Sequence, residues 1–167
     1  MTVKNRVEET NYRTEDMRRR NSIVFWTITF ITIISTIPRF SFDAPIGLYI
    51  QLGVMLILWA SLAFIHFRKV FEPYMRYVAI IGTSISITVA IVLEPSITNF
   101  SSVYYLLILT LIYMDLPLTV YSIIYGLGIM IYMSFYQDIG VTNEMLMPYF
   151  LYYILIAILM FAFFTCI

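Results

Sequence analysis

The sequence predicts an all-α fold: a polytopic membrane bundle of about six transmembrane helices, with the N- and C-termini both cytoplasmic. Three observations carry that expectation. First, 61% of the 167 residues are hydrophobic, mean hydropathy is +0.87, and 12% are charged, against roughly 25% in soluble domains. Second, six apolar stretches follow Asn21, separated by short segments that carry Pro, Gly or charge. Backbone groups left unpaired in hydrocarbon cost several kcal/mol each, so stretches of this length in lipid must be helices. Third, nine of the ten Lys and Arg residues lie in two places, six from Lys4 to Arg20 and three from Arg68 to Arg76. With the N-terminus inside, Arg39 is the single cation facing out; the opposite orientation inverts this bias.

The elements follow in order. Residues 1–21 contain no Gly or Pro and hold the acid-first i,i+4 pairs Glu9/Arg13, Glu15/Arg19 and Asp16/Arg20. They predict a charged cytoplasmic helix that runs into the first span. The domain from residue 22 to 167 then contains spans at Ser22 to Ile37, Ile46 to His66, Met75 to Leu93, about Ile97 to Met114, Leu118 to Tyr136, and Met145 to Ile167. The first reads as an uncleaved signal anchor, since Pro38-Arg39 follows it rather than a small-residue cleavage site. Breaks fall at Pro38 to Pro45, Arg68 to Pro73, Glu94-Pro95, Asp115 to Pro117, and Gln137 to Asn143 with Gly140. Ser101 to Met114 covers only about 21 Å of a ~30 Å hydrocarbon core, so the fourth helix is expected to start just after Pro95. The apolar run continues to Cys166-Ile167 without a polar flank, which reads as a chain cut before a cytoplasmic output domain.

Small and hydroxylated residues mark the packing faces. Ala79, Gly82, Ser86 and Ala90 form a seam on the third span, and Gly53, Ala60 and Ala63 do roughly the same on the second. Thr29, Thr32 and Thr36 share a face from which hydroxyls can bond back to their own helix or across to a neighbour. In the fifth span Tyr121, Tyr125, Tyr132 and Tyr136 fall within about 60° of one another, with Gly128 as a notch on the same arc. Interfacial belts and hydrogen bonds inside the bundle account for such a stripe. The sharper reading is a cavity wall joined by Tyr149, Tyr152 and Tyr153 of the sixth span, in which Tyr125, Tyr132 and Tyr152 hold the ligand, with Glu94 and Asp138 at its outer mouth.

Other chemistry is thin. His66 is the single histidine and sits near the cytoplasmic end of the second span, so haem held by two histidines and histidine-rich metal sites are excluded. No Lys lies inside a span, and no nucleophile elbow, phosphate-binding glycine loop or pair of intramembrane acids is present. Glu94 and Asp115 each precede a proline within two residues and read as helix-end or turn residues. The expectation is a protein that is not an enzyme and carries no cofactor or metal. Cys166 is the only cysteine, and no polybasic surface suits nucleic acid.

Two stretches carry a resemblance. DMRRRNSIVFW, from Asp16 to Trp26, is similar to the entry into the first span of bacterial methyl-accepting chemotaxis receptors with a six-helix sensory region. YYLLILTLIYMDLPLTVYSIIYG, from Tyr104 to Gly126, resembles their fourth and fifth spans, where a short charged turn leads to a Leu-Thr pair, here Leu118-Thr119. Pro117 stands where a basic residue is expected. Similar regions occur in sensor histidine kinases and diguanylate cyclases. The resemblance implies a multi-pass sensory module of a bacterial cell membrane, working as a homodimer or higher homo-oligomer. It would relay a membrane or small-ligand signal through the last helix to cytoplasmic signalling proteins. The alternative is a substrate-binding membrane subunit of a transporter, since such sites can be built from backbone and broken helices alone. In either case the lipid bilayer is a partner.

Overall fold

The computed structural model describes residues 3–36, 46–95, 99, 101–135 and 143–166. Among them are α1 (Val3–Thr36), α2 (Ile46–Arg68), α3 (Met75–Leu93), α4 (Val103–Tyr113), α5 (Leu116–Phe135) and α6 (Asn143–Cys166). A 3-10 turn at Glu72–Tyr74 leads into α3. The described residues thus form an all-helical bundle. Asp138, Tyr136, Arg39 and Gly140 lie outside the described residues.

Among the described residues, four helical segments are long and apolar enough to cross a membrane: Ile46–Arg68, Glu72–Leu93, Leu116–Met133 and Met147–Phe164. At 1.5 Å per residue, α2, α3, α5 and α6, of 23, 19, 20 and 24 residues, are about 28 to 36 Å long, which matches a ~30 Å core. Their outer faces are apolar. Ile57, Ile124, Leu151, Leu155 and Leu159 all point away from the bundle, an arrangement suited to acyl chains rather than water.

α1 is one continuous helix of 34 residues, in which the charged arm passes without a break into the apolar part. Asn21, Val24, Phe25, Ile28 and Thr32 are buried along one face at helical spacing, while Trp26, Phe30 and Ile33 face outward. Thr29, Thr32 and Thr36 bond back to the carbonyls of Phe25, Ile28 and Thr32, and Thr29 also accepts from Trp59 Nε1 at 3.0 Å, which ties α1 to α2.

α3 buries the expected seam: Ala79, Ser86 and Ala90 are covered, and a Cβ at Gly82 would strike the Leu58 side chain of α2. The seam on α2 is only partial, because Ala60 is exposed and a Cβ at Gly53 would meet nothing within 4 Å.

The fourth described helix, α4, starts at Val103, and its 11 residues reach about 17 Å. Asn99 and Ser101 ahead of it are also helical, while the expected start just after Pro95 falls on residues 96–98, outside the described ones. Hydrogen bonds link this stretch to the end of α3. Glu94 N–H donates to the Ala90 carbonyl at 2.9 Å, Asn99 Nδ2 to the Glu94 carbonyl at 2.7 Å, and Ser102 N–H to the Asn99 carbonyl at 3.2 Å. α4 is central. It packs against α1, α3, α5 and α6, with Val103, Leu106, Leu107, Leu109 and Thr110 buried.

Two turns gather the charges at one end. Lys69 and Phe71, between α2 and α3, adopt φ of 54° and 60°, a left-handed backbone costing roughly 1 to 2 kcal/mol per non-glycine residue. α1 holds that turn in place: Asn21 Nδ2 donates to the Glu72 carbonyl at 3.0 Å, and Arg18 Nε pairs with Glu72 Oε2 at 3.0 Å. Met114, at φ 50°, ends α4 by donating its N–H to the carbonyls of Thr110 and Leu111. Asp115 then caps α5, accepting from Leu118 N–H at 3.2 Å, and Pro117 occupies the first turn, where its missing N–H leaves no gap.

Candidate functional site

The tyrosine stripe of α5 faces α3. Tyr125 Oη lies 2.7 Å from both the Ser84 carbonyl oxygen and Thr88 Oγ1, and Tyr121 Oη lies 2.9 Å from Ser84 Oγ. The two tyrosine rings stack at 6.2 Å. Four side chains thus clip α5 to α3 through hydroxyls, each bond worth on the order of 0.6 kcal/mol in a membrane bundle. A tyrosine needs such partners to bury its polar tip in an apolar interior.

Of the candidate cavity residues, Tyr125 is engaged in this clip, and Tyr132 is half-buried against the core on the same helix. Tyr152 is elsewhere: its side chain is 63% exposed on the outer face of α6, so it does not join Tyr125. Glu94 is exposed at the C-terminal end of α3, and Asp138 lies outside the described residues. The residue that α6 turns inward is the neighbouring Tyr153, which is fully buried. Its Oη donates to the Ser122 carbonyl of α5 at 2.7 Å, and its ring meets Tyr104 edge-on at 5.6 Å.

Gly126, not Gly128, is the notch that this arrangement needs. A Cβ at Gly126 would fall onto the Tyr153 ring and hydroxyl, whereas a Cβ at Gly128 would meet nothing within 4 Å. Tyr104 Oη supplies a second tie to α6, donating to the Tyr149 carbonyl at 2.6 Å. Both ties lie in the first half of α6. From Ile154 onward the helix borders an apolar groove of about 510 Å³ on α5, lined by Ile123, Leu127, Ala157 and Phe161 among others.

The opposite half of the chemistry is ionic. Arg76 Nη1 pairs with Asp115 Oδ2 at 2.6 Å, joining the start of α3 to the α4–α5 turn, and the Asp115 side chain is only 9% exposed. The Arg76 guanidinium also lies over the Tyr77 ring, 4.9 Å from its centroid. Arg20 Nε pairs with Asp16 at 2.8 Å, the expected i,i+4 contact, while its Nη1 donates to the Tyr113 carbonyl at 2.9 Å. That bond places a cation at the C-terminal end of α4, where the helix dipole favours positive charge. His66 stacks on Phe25 at 4.6 Å. Among the described residues no group of three His, Cys, Asp or Glu side chains lies together as a metal site.

The ionic end was legible in part. Asp115 reads as a turn residue from Asp-Leu-Pro-Leu-Thr, but its ion pair with Arg76, distant in sequence, has no local signal. Ser84 and Thr88 were not singled out, although they stand four apart on one face of the third span. Compared with family models, curated proteins and solved structures, the chain finds no match.

Proposed function

We propose that the chain is a transmembrane sensory module of a bacterial receptor, crossing the cell membrane six times with both ends cytoplasmic. It relays a membrane or small-ligand signal through α6 to cytoplasmic signalling partners and works as a homodimer or higher homo-oligomer. The observation that carries the reading is the uneven attachment of α6. Its hydroxyl ties, to Tyr149 and Tyr153, sit in its first half, while the half toward the ionic end borders an apolar groove. A helix pinned by hydrogen bonds in one half and held only by apolar contacts such as those of Ala157 and Met160 in the other can shift by ~1 to 2 Å, the scale of helix switches, when a stimulus favours one packing. α3 and α5, locked by the clip of Ser84, Thr88, Tyr121 and Tyr125, form the frame against which α6 moves. The charge bias and the resemblance of Asp16 to Trp26 and Tyr104 to Gly126 to chemotaxis receptors point the same way.

The test fuses the module, after Ile167, to the cytoplasmic part of a receptor with a measurable kinase output. Ala157→Phe fills the groove, and Ile124→Phe places the same ring on the lipid side. Ala157→Phe is expected to shift the resting output, and Ile124→Phe to leave it alone. An output indifferent to Ala157→Phe and to Tyr153→Phe would remove α6 as the relay.

A further inference from the structure

A small cavity of about 90 Å³ lies at the ionic end, between α1, the last turn of α2 and the turn into α3. Arg18, His66 and Lys69 line it, together with Asn21, Glu72 and Met75. The three basic side chains can be reached from outside: the Arg18 side chain is 52% exposed, Lys69 is exposed and His66 is half-buried. Each has donors that no protein group takes. Arg18 gives its Nε–H to the two oxygens of Glu72, at 3.0 and 3.2 Å, which leaves its terminal amino groups free. Among the described residues, Lys69 Nζ and the His66 nitrogens make no hydrogen bond or ion pair. His66 lies flat on Phe25, 4.6 Å apart with the planes 12° from parallel, so the ring is held by its face while the nitrogens sit on its edge.

The turn holds this arrangement at a cost. Lys69 keeps a left-handed backbone, φ 54°, in which glycine would be unstrained. Such strain persists where the surroundings fix it, and it gathers at ligand clamps. Here α1 does the fixing, with Asn21 Nδ2 on the Glu72 carbonyl and Arg18 on the Glu72 carboxylate. The same contacts dispose of the one acid in the lining. The Glu72 side chain is only 15% exposed and its charge is matched by Arg18, so Lys69 is the charge in excess, with Arg68 exposed beside it. Ammonium and guanidinium groups only donate, and a histidine N–H donates as well, so the ligand is an anion that accepts from several sides. A cavity of about 90 Å³ has the room of a few waters, enough for one tetrahedral oxyanion and too little for an extended anion. Exposed Phe67, Phe71 and Tyr74 surround the turn, at the ends of two membrane-crossing segments, which sets it at the level of bilayer headgroups.

We infer that this cavity binds a terminal phosphate group. The Lys69 ammonium and the free amino groups of Arg18 clamp its oxygens, and His66 donates an N–H to it from the edge of the stacked ring. The phosphomonoester headgroup of phosphatidic acid and a free phosphate share this chemistry. The assignment does not rest on the sensory reading, so either can fail alone.

The experiment uses the full chain in phosphatidylcholine nanodiscs with two probes. In one arm inorganic phosphate is titrated in and followed by calorimetry. In the other the nanodiscs carry a minor fraction of phosphatidic acid, and the lipid retained on re-isolation is measured by mass spectrometry. Wild type is expected to bind at least one probe. Lys69→Gly removes the ammonium together with the backbone strain, so it should cut binding about tenfold, the scale of one lost hydrogen bond to a charged group, and leave the fold no less stable. His66→Phe keeps a ring on Phe25 but loses the donor, and should weaken binding several-fold. Arg19→Gln removes the same charge from an exposed residue outside the cavity and should change binding less than twofold. Enrichment of phosphatidic acid with weak inorganic phosphate assigns the site to the lipid, tight inorganic phosphate assigns it to a soluble ligand, and either supports the proposal. Binding of neither probe, or a loss with Arg19→Gln as large as with Lys69→Gly, would overturn it.

Discussion

Two glycines two positions apart on α5 should respond oppositely to the same substitution. At Gly126 the added methyl of Gly126→Ala falls onto Tyr153, a fully buried side chain whose hydroxyl is fixed to the Ser122 carbonyl at 2.7 Å. Either the ring moves or α6 does. Over-packing of this kind costs about 1 to 3 kcal/mol, and loss of the hydroxyl bond adds about 1 kcal/mol. Alanine's better helix propensity returns at most about 1 kcal/mol, so the net destabilisation is about 1 to 3 kcal/mol. At Gly128 no atom lies within 4 Å of the new methyl, and Gly128→Ala should be neutral or stabilising by up to about 1 kcal/mol. Equilibrium unfolding in mixed micelles, followed by helical circular dichroism, reads both variants against wild type. If Gly128→Ala loses as much stability as Gly126→Ala, the placement of α6 on α5 through Tyr153 is wrong.

Other outcomes follow from the two polar networks. Asp115→Asn keeps the cap on Leu118 N–H but strips Arg76 of its counter-charge. Because Asp115 is nearly buried while Arg76 is 39% exposed, the loss should be about 2 kcal/mol, below the ~3 to 5 of a fully buried pair. Asp115→Ala should cost about 1 kcal/mol more in the same unfolding assay, because the cap goes too. In the tyrosine clip, Thr88→Val should cost about 0.6 kcal/mol and Tyr125→Phe, which also loses the bond to the Ser84 carbonyl, about 1.2 kcal/mol, and a double-mutant cycle should show coupling of about 0.6 kcal/mol; strict additivity would mean that the Tyr125–Thr88 contact does not form.

The sequence revealed composition and period, and little about what lies across from a given face. The α3 seam was readable because Ala79, Gly82, Ser86 and Ala90 recur at helical spacing, and only close packing calls for so many small residues there. The α5 stripe was readable too, but period alone does not say what it faces, so its partners Ser84 and Thr88 emerged only from the fold. Tyr152 and Tyr153 show the limit most clearly. Adjacent residues differ by 100° around a helix, and in a span apolar on all sides nothing in the sequence sets the phase, so period does not separate the outward Tyr152 from the buried Tyr153. The same limit applies to Gly128 and Gly126. The side-chain bond of Asn99 to the Glu94 carbonyl is likewise invisible in composition.

The membrane orientation is the claim on which the rest stands, and cysteine accessibility measures it directly. In a Cys166→Ser background, single cysteines at Lys69, in the α2–α3 turn, and at Glu94, at the end of α3, are exposed in the fold and lie at opposite ends of one membrane-crossing helix. With a membrane-impermeant maleimide added to intact cells, Glu94→Cys is expected to label at once and Lys69→Cys only after permeabilisation. Immediate labelling of Lys69→Cys, with Glu94→Cys protected, would place the ionic end outside and contradict the account.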